Sequence, residues 1–368
     1  MIQARVLQVV TIMNRGGLET MIMNYYRKID RDKIQFDFLV HRDERGDYDD
    51  EIESLGGRIY RMPSIKPGNY RKYFRALDEF FMLNRDYVAV HSHINENSGF
   101  VAKYAKKYGI KKRIAHSHIA DLKLDYKYPF RLYARLYLKT NINYYFACSE
   151  KAGEWLFGKK AILNKQVTVL NNAVDLDLFK YNESVRHEMR EKLGIENKVV
   201  IGHIGRFNLQ KNHKFLIDIF NEINKINKNT VLLLVGTGNM MDDIKLKVNK
   251  LGLKDSVKFL GLRNDVSKLM QSMDMFLFPS LFEGLPVVLV EAQASGLKCV
   301  ASTGITKEAN ITKSIEFIDL KLQAKEWANK ILSLDISRQD YTNLIVENGY
   351  DSTHNVKILS DFYLADLS

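Results

Sequence analysis

The sequence has little cysteine. Its 368 residues include two cysteines, Cys148 and Cys299, which lie far apart inside the hydrophobic runs YYFACSE and LKCVAS. This number and placement argue against a disulfide framework or a cysteine metal site, and they are typical of small buried core residues. We therefore expect the protein to function in a reducing compartment.

Long hydrophobic runs are also missing. No stretch approaches the roughly 18 uninterrupted apolar residues of a membrane-spanning helix. The start, MIQARVLQVV, lacks the basic segment and long apolar region of a signal peptide. We expect a cytoplasmic protein, and since its length exceeds what one hydrophobic core usually organises, we expect two domains.

Acidic residues are scarce in the first half of the chain. Residues 1–175 hold 30 Lys and Arg against 20 Asp and Glu, and the remaining residues hold 25 against 24. The basic half is compatible with nucleic acid, an anionic membrane surface or a solvated lysine-rich face. Because zinc-finger spacing and an RNA-recognition motif are absent, we predict no nucleic-acid partner. The membrane surface and the solvated face both stay open.

Short β-rich runs alternate with helical segments along the chain, which is typical of parallel α/β sheets. The first set of predicted strands is 5–12, 33–40, 57–62, 87–93, 112–118, 143–150 and 166–172. The second set is 199–207, 230–238, 257–261, 275–280, 298–302 and 315–319. We therefore predict two doubly wound domains, residues 1–175 and 176–351. A C-terminal helix at about 352–368 is expected to pack back onto the first domain.

The ends of the predicted strands are the places to look for chemistry, because open α/β sheets bind ligands beyond the carboxyl ends of their strands. Gly16 and Gly17 lie between the first strand and its helix, where glycine lets backbone approach a ligand. The G-x-G-x-x-G pattern of dinucleotide-binding proteins is absent, so a plain NAD site is unsupported.

Two cations follow the strand that opens the second half. Arg206 and Lys211 precede a helix, and together they suit a diphosphate that gains negative charge as it leaves. The alternative is that both are ordinary surface residues of a loop. Gly236 and Gly238, at the next strand end, again permit close backbone approach.

The strand at 257–261 is followed by two further candidates. Leu262 and Arg263, after Gly261, form an edge at which backbone groups could meet a flat base. Asp265 is predicted to cap the following helix.

The stretch LFEGLPVVLVEAQASG, residues 281–296, places two glutamates around an apolar helix. Pro286 fits the first helical position, and Gly296 fits the left-handed terminator. Glu283 then lies in the loop before the helix and Glu291 lies within it. Carboxylates accept hydrogen bonds from hydroxyls, so one could hold the hexose and the other the ribose of a sugar nucleotide. The N–H groups of Gly284 and Leu285 could meet the sugar or a phosphate.

These motifs together resemble a known family. The set Gly16-Gly17, Arg206, Lys211-Asn212, Gly236-Thr237-Gly238, Gly261 and Glu283-GLPVVLV-Glu291 is similar to the retaining, GT-B-fold glycosyltransferases of the "group 1" family. The resemblance spans nearly the whole chain, and the NRGGLE start and the AHSH stretch are most similar to bacterial capsular and exopolysaccharide enzymes. It implies a GT-B fold, in which two doubly wound Rossmann-like domains with parallel sheets face each other across a cleft.

The resemblance also implies residue roles. Arg206 and Lys211 would bind the donor diphosphate, Glu291 the ribose, and Glu283 the transferred sugar together with the backbone of Gly284 and Leu285. Gly16 and Gly17 would let the first-domain loop touch the phosphates and the acceptor. His118 would face the donor sugar as a catalytic residue, with His116 as the alternative, because both point to one side of a strand.

The implied activity is transfer of a hexose or N-acetylhexosamine from a nucleotide sugar, a UDP sugar as the family-level expectation, to a lipid-linked or saccharide acceptor in capsule or exopolysaccharide synthesis. No D-x-D pair follows a predicted strand and no His/Cys cluster is apparent, so we predict neither a metal nor a cofactor. The alternatives are a GT-B-fold sugar-nucleotide epimerase or phosphorylase, a non-catalytic sugar-nucleotide-binding subunit, and a nucleic-acid-binding protein that would need no glutamate pair.

Two segments of the first half mix aromatic, aliphatic and cationic residues, namely 70–81 and 123–139. Such a mixture is typical of a surface that touches anionic lipid at the inner face of the plasma membrane. The alternative is that both are amphipathic helices that pack on the sheet. A polyprenyl-diphosphate-linked sugar is our hypothesis for the acceptor.

Overall fold

The structure is a computed structural model that describes residues 3–66, 68–118 and 128–365. The chain forms two compact units. Unit 1 consists of residues 1–173 and 352–368, and unit 2 consists of residues 174–351. Each unit is built around one parallel sheet.

The sheet of unit 1 has seven strands in the order β3-β2-β1-β4-β5-β6-β7. They are β1 (Ala4–Val9), β2 (Ile34–Val40), β3 (Ile59–Arg61), β4 (Tyr87–Ser92), β5 (Lys112–Ser117), β6 (Tyr144–Ala147) and β7 (Val167–Val169). All neighbouring strands are parallel. The order reverses direction between β1 and β4, and such a switch point is where open α/β sheets bind ligands.

The helices of unit 1 include one from the end of the chain. They are α1 (Gly17–Lys28), α2 (Asp49–Ser54), α3 (Tyr70–Leu83), α4 (Ser98–Lys107), α5 (Tyr128–Asn141), α6 (Glu150–Phe157), α7 (Lys159–Leu163) and α16 (Ser352–Leu364). Val356, Leu359 and Tyr363 of α16 are buried in the core that covers β1 and β2. The predicted C-terminal helix therefore ends near Leu364, and residues 366–368 lie outside the described residues.

The sheet of unit 2 has six parallel strands in the order β10-β9-β8-β11-β12-β13. They are β8 (Val199–Ile204), β9 (Thr230–Val235), β10 (Val257–Gly261), β11 (Met275–Phe278), β12 (Lys298–Ser302) and β13 (Ile315–Ile318). The switch point lies between β8 and β11, which makes the ends of these two strands neighbours.

Eight helices accompany this sheet among the described residues. They are α8 (Leu176–Phe179), α9 (Glu183–Leu193), α10 (His213–Ile226), α11 (Met241–Lys250), α12 (Val266–Ser272), α13 (Val287–Ala294), α14 (Ala324–Leu332) and α15 (Thr342–Glu347). Helix α10 places Leu216, Ile217, Phe220 and Ile223 in the core, and Trp327 of α14 joins them there.

The strands form where the hydrophobic runs predicted them, because helices cover both faces of a parallel sheet and favour continuous apolar segments. Strand β9 is buried at every residue. Strand β2 is also fully buried, and its Asp37 accepts hydrogen bonds from Arg5 and Tyr87. The prediction of two doubly wound α/β domains is confirmed. Both cysteines are buried and free.

A strand ends earlier than predicted where the following helix begins close to it. The predicted strand 143–150 ends at Ala147, because Ser149 caps α6 by accepting a hydrogen bond from the N–H of Ala152. Within the described part of the chain, no helix is long and apolar enough to cross a membrane.

Candidate functional site

The ends of β8 and β11 bring a cation and a carboxylate together in unit 2. Nζ of Lys211 lies 2.7 Å from Oε1 of Glu283, and both side chains are mostly buried. The ammonium also lies 4.5 Å from the ring centroid of Phe278, at the end of β11. Oε1 of Glu283 accepts no hydrogen bond of good geometry from the described residues, so the contact with Lys211 is an ion pair.

Hydrogen bonds between the two loops hold this ion pair in place. The N–H of Leu281 donates to the carbonyl of Gln210, whose side-chain amide donates to the carbonyl of Phe282. Asn212 has a left-handed backbone, with φ of 55°, and its side chain donates to the carbonyl of Pro279. The loop after β8 is therefore fixed to the loop after β11.

Arg206 is not part of the ion pair. It follows β8 directly and is exposed to solvent. A guanidinium in this position can reach a ligand without breaking an internal contact. The two cations predicted to bind a diphosphate therefore differ, because Lys211 is mostly buried and already paired while Arg206 is exposed.

Arg263 and Asp265 bind each other. Nε and Nη2 of Arg263 donate to the two carboxylate oxygens of Asp265, over 2.8 and 2.6 Å. Asp265 occupies the N-cap position of α12 as predicted, but its side chain makes no capping hydrogen bond. The prediction of a side-chain cap was therefore wrong, because the carboxylate of Asp265 accepts hydrogen bonds from the Arg263 guanidinium and none from the N–H groups at the helix start. Leu262 stands exposed beside this pair.

The glycines after β9 allow two protein loops to meet. Gly236 has φ of +128°, and a Cβ there would lie 2.2 Å from the carbonyl oxygen of Gly205. A Cβ at Gly238 would lie 2.3 Å from the carbonyl oxygen of Phe207. Both positions therefore need glycine for the packing of the β8 and β9 loops, whatever they contact in addition.

The loop before α13 has open space beside Gly284, one of the two residues whose backbone was predicted to bind a ligand. A Cβ at Gly284 would meet no atom within 4 Å. Leu285 follows it and packs partly against the core. Pro286 is the N-cap residue of α13 and not its first helical residue, because its ψ of 117° is extended. The helix therefore begins one residue later than predicted. Gly296 is left-handed, with φ of +68°, and follows the helix as predicted.

Glu291 is a buried carboxylate in α13. The residue is 9% exposed, and desolvation raises the pKa of its side chain from 4.5 to about 7. A carboxylate in such an environment is stabilised by a ligand that donates hydrogen bonds to it.

In unit 1, Gly16 and Gly17 lie at the N-terminus of α1. Gly16 is the N-cap and Gly17 the first helical residue. A Cβ at Gly16 would lie 2.4 Å from Oε2 of Glu19, so the carboxylate of Glu19 lies against this helix start. The N-terminus of α1 attracts a negative group, as the helix dipole favours.

Four histidines form a cluster at the ends of β4 and β5, and Gln8 and Tyr363 join it. His91 stacks on His93, with ring centroids 4.4 Å apart, and His116 stacks on His118 at 4.1 Å. The expectation that the chain has no histidine cluster was wrong. The signal was the repeated H-S-H at 91–93 and 116–118, because alternate residues of neighbouring strands share one face.

Burial keeps the clustered imidazoles neutral. Desolvation lowers the pKa of His91 to about 3 and that of His118 to about 3. The pKa values of His93 and His116 are also lowered, first by desolvation and then by their histidine neighbours. These rings therefore act as neutral hydrogen-bonding groups near pH 7.

Three of these histidines bring possible metal-ligating nitrogens close together. One nitrogen from each of His91, His93 and His116 can lie within 4.8 Å of the others, and imidazole is a ligand for zinc and copper. However, His91 and His93 each place both ring nitrogens within hydrogen-bonding distance of neighbouring side chains. A bound ion would have to replace these contacts, so the arrangement fits a hydrogen-bonded cluster better than a metal centre.

Two family models match the chain, one on each half. Residues 15–178 match the model described as "Glycosyltransferase Family 4", and residues 185–351 match "Glycosyl transferases group 1". The first range contains Gly16, Gly17 and the four clustered histidines, and the second contains Lys211, Glu283 and Glu291.

Several curated proteins are similar to the chain. The protein named "Putative glycosyltransferase EpsF" of Bacillus subtilis (strain 168) is 38% identical over 98% of this chain and 96% of its own length. The capsular polysaccharide biosynthesis glycosyltransferase CapH of Staphylococcus aureus is 27% identical over 98% and 99%. The UDP-Gal:alpha-D-GlcNAc-diphosphoundecaprenol alpha-1,3-galactosyltransferase of Escherichia coli is 30% identical over 54% of each chain.

The fold is similar to that of solved structures. The Anabaena protein Alr3699/HepE, in complex with UDP-glucose, superposes with a TM-score of 0.69 at 19% identity, over 98% of this chain and 95% of that one. At this identity the likeness concerns the fold.

Proposed function

Because the chain belongs to the glycosyl transferases group 1 family and is a glycosyltransferase, we propose that it moves a hexose or N-acetylhexosamine from a UDP sugar. In this proposal the acceptor is a lipid-linked or saccharide acceptor in the synthesis of a bacterial capsule or exopolysaccharide. The observation that carries this proposal is the mostly buried ion pair of Lys211 and Glu283 at the switch point of unit 2.

Lys211 and Arg206 are the groups we propose for the donor diphosphate. An ammonium has three donors, so Lys211 can bind a phosphate oxygen and still contact Glu283. Arg206 is exposed and offers a planar fork that matches phosphate oxygens. Together they neutralise the charge that develops on the departing diphosphate, which is the reason to propose that no metal and no cofactor are required.

Glu283 and Glu291 are the groups we propose for the hydroxyls of the donor. The ion pair keeps the Glu283 carboxylate beside the phosphate-binding ammonium, where the transferred sugar joins the diphosphate. We propose that the backbone N–H groups of Gly284 and Leu285 bind the same sugar, and the open space beside Gly284 supports this role. Glu291 accepts hydrogen bonds from the ribose, and this contact offsets the cost of burying its charge.

Unit 1 contributes His118 and the acceptor surface in this proposal. His118 contacts the donor sugar, and Gly17 lets the loop before α1 approach the phosphates. The acceptor hydroxyl attacks the anomeric carbon from the leaving-group face, so the configuration is retained. Its oxygen forms the new bond to that carbon, the bond to the phosphate oxygen breaks, and the hydroxyl proton passes to the departing phosphate.

We propose a uridine base from two lines of support. The Anabaena structure of similar fold is named as a complex with UDP-glucose, and the Escherichia coli relative is named as using UDP-Gal. Leu262 offers an exposed apolar edge for a flat base next to the Arg263–Asp265 pair.

A lipid-linked acceptor is supported by the surface of α5. Leu132, Tyr133 and Leu136 are exposed on this helix, and Lys139 is exposed near them. An exposed mixture of apolar and cationic side chains favours contact with an anionic membrane. The part of the predicted segment before Tyr128 lies outside the described residues.

The other segment with this composition is used differently. Tyr73, Leu77, Phe80 and Phe81 of α3 are buried in the core, so the apolar face of this helix packs on the sheet. Of the two helices, we therefore propose α5 alone as the membrane-facing surface.

The experiment that tests the proposed function combines a donor panel with a polyprenyl-diphosphate-linked monosaccharide. We expect UDP release that depends on the acceptor, a product one sugar heavier by mass spectrometry, and retained anomeric configuration by NMR. UDP release without acceptor would indicate an epimerase or hydrolase, and a sugar phosphate formed from inorganic phosphate would indicate a phosphorylase. Binding of the donor without turnover would indicate a non-catalytic subunit.

A further inference from the structure

Gln8 lies within a path of hydrogen bonds, one end of which is His118. Oε1 of Gln8 is 2.9 Å from Nε2 of His93, and Nδ1 of His93 is 2.9 Å from Nε2 of His118. In the other direction, Nε2 of Gln8 is 3.5 Å from the hydroxyl of Tyr363.

The path of hydrogen bonds continues from Tyr363 through His91 to His116. The Tyr363 hydroxyl is 2.6 Å from Nδ1 of His91, and Nε2 of His91 is 3.1 Å from Nδ1 of His116. Six side chains of unit 1 thus form one continuous path. Its two terminal atoms, Nδ1 of His118 and Nε2 of His116, are buried and have no hydrogen-bond partner among the residues that the structure describes.

The contact between Tyr363 and His91 fixes the direction of the path. At 2.6 Å it is shorter than an ordinary N–H···O bond and has the length of a bond donated by a hydroxyl. Burial raises the pKa of Tyr363, so the phenol keeps its proton. Its O–H therefore donates a hydrogen bond to Nδ1 of His91. The phenol oxygen is then free to accept from the amide of Gln8.

This direction determines every tautomer as far as His118. Because the NH₂ of Gln8 faces Tyr363, its carbonyl oxygen faces His93, and Nε2 of His93 must carry the proton. Nδ1 of His93 is then an acceptor, so Nε2 of His118 must donate to it. A neutral imidazole has one proton, which leaves Nδ1 of His118 with a lone pair.

We infer that Gln8 and His93 are positioning residues that hold His118 in the tautomer whose Nδ1 accepts a hydrogen bond. In the setting of the proposed function, His118 then accepts a hydrogen bond from a hydroxyl of the donor sugar and rejects a group that offers only an acceptor. The selectivity comes from Gln8, two residues away along the path, which does not itself touch the sugar.

The inference is tested directly by the protonation of the histidine nitrogens. In protein labelled with ¹⁵N-histidine, a long-range ¹H–¹⁵N correlation spectrum separates protonated from unprotonated ring nitrogens, and a His118→Asn variant assigns the signals of His118. We expect a protonated Nε2 and an unprotonated Nδ1 at His118 in the wild type. A protonated Nδ1 would overturn the inference.

Two substitutions of Gln8 separate the tautomer effect from a loss of packing. Gln8→Met removes the acceptor, so the proton of His93 moves to Nδ1 and the His118 tautomer inverts. We expect kcat/KM for the donor to fall on the order of tenfold, the cost of about one hydrogen bond. Gln8→Glu keeps the acceptor for His93, so we expect an unprotonated Nδ1 and a kcat/KM within about threefold of the wild type.

The matched control is Gln35→Met. Gln35 is also buried in the sheet of unit 1, where it accepts from Tyr26 and donates to the carbonyl of Leu55, away from the histidines. This variant should lose stability but keep the His118 tautomer and the kcat/KM of the wild type. Equal losses of activity in Gln8→Met and Gln35→Met would reduce Gln8 to a packing residue.

The outcomes distinguish this inference from the proposed function. If the wild type transfers no sugar, the proposed function fails, and the wild-type spectrum still decides the tautomer. If the wild type transfers sugar while Gln8→Met leaves tautomer and rate unchanged, the inference alone fails. If Gln8→Met does not fold, the wild-type and Gln8→Glu spectra carry the test.

Discussion

Lys211 and Glu283 form a mostly buried ion pair although they follow different strands of the unit 2 sheet. Their charged atoms lie 2.7 Å apart, and the ammonium lies over the ring of Phe278. A partly buried cation is costly unless it is paired, so the contact with Glu283 offsets the cost of burying Lys211 and holds its side chain in place. A ligand with a phosphate and a hydroxyl would meet both charges in fixed positions.

Lys211→Ala should weaken binding of the UDP-sugar donor by about tenfold to a hundredfold, because a charge-assisted hydrogen bond to phosphate is lost. Isothermal titration with UDP measures this loss. The control is Lys247→Ala, which removes an ion pair with Asp218 over 2.6 Å on the same unit. Equal UDP affinity in the wild type and Lys211→Ala would contradict the assignment of Lys211 to the diphosphate.

Glu291→Gln should make the protein more stable at neutral and alkaline pH. Burial raises the pKa of Glu291 from 4.5 to about 7, so between these values the folded state holds a proton that the unfolded state has released. The free energy of unfolding of the wild type therefore falls as the pH rises through this window, and that of the variant does not. We expect a difference on the order of 1–3 kcal/mol at about pH 8 and none at about pH 4.

Urea unfolding across this pH range measures the effect of Glu291→Gln. Glu308→Gln, which removes an exposed carboxylate in the same unit, is the control and should show no such pH dependence. The same Glu291→Gln variant should bind UDP more weakly, since a neutral amide is a poorer acceptor for the ribose hydroxyls. If the variant gains no stability at alkaline pH, the conclusion that burial destabilises the charged form of Glu291 is wrong.

Gly236→Ala should destabilise the protein more than a glycine substitution usually does. The new Cβ would lie 2.2 Å from the carbonyl oxygen of Gly205, at a φ of +128°. Gly252→Ala is the control, because Gly252 also has a positive φ, +68°, but a Cβ there meets no atom within 4 Å. We expect a cost of about 1 kcal/mol for Gly252→Ala and at least about 3 kcal/mol for Gly236→Ala by chemical denaturation. Similar costs would show that the two loops separate easily.

The Leu132→Ser, Leu136→Ser double variant should reduce binding to anionic vesicles without reducing stability. Both leucines are exposed on α5, at 43% and 64%, so their removal costs little in the fold but removes apolar contact with lipid. Flotation with phosphatidylglycerol vesicles at low salt measures the binding, and Leu246→Ser, an exposed leucine of unit 2, is the control. A wild type that stays in solution would exclude α5 as a membrane surface.

The strands of both sheets were predictable because each is a short, continuous apolar run that is buried by local covering helices. Strand β9, TVLLLV, illustrates this at every residue. The glycines at 236 and 238 were also identified as sites of close approach. What approaches them, the backbones of Gly205 and Phe207, could not be predicted, because it depends on which strands are neighbours.

The histidine cluster shows the same division between local and distant information. The two H-S-H motifs mark strand ends in the sequence, but β4 and β5 bring them together only as neighbours in the sheet. Tyr363 reaches the cluster from the end of the chain on α16. This contact sets the direction of the hydrogen bonds, and no local pattern could indicate it.

The sequence by itself determined the α/β class, the position of each strand and the candidate residues at the strand ends, because hydrophobic pattern and glycine act over a few neighbouring residues. The tertiary structure decided that Lys211 pairs with Glu283, that Arg263 is taken by Asp265, that Glu291 has a raised pKa and that Gln8 connects to His118. These properties depend on distances between segments far apart in the chain, and strand order, register and burial set those distances when the whole sheet packs.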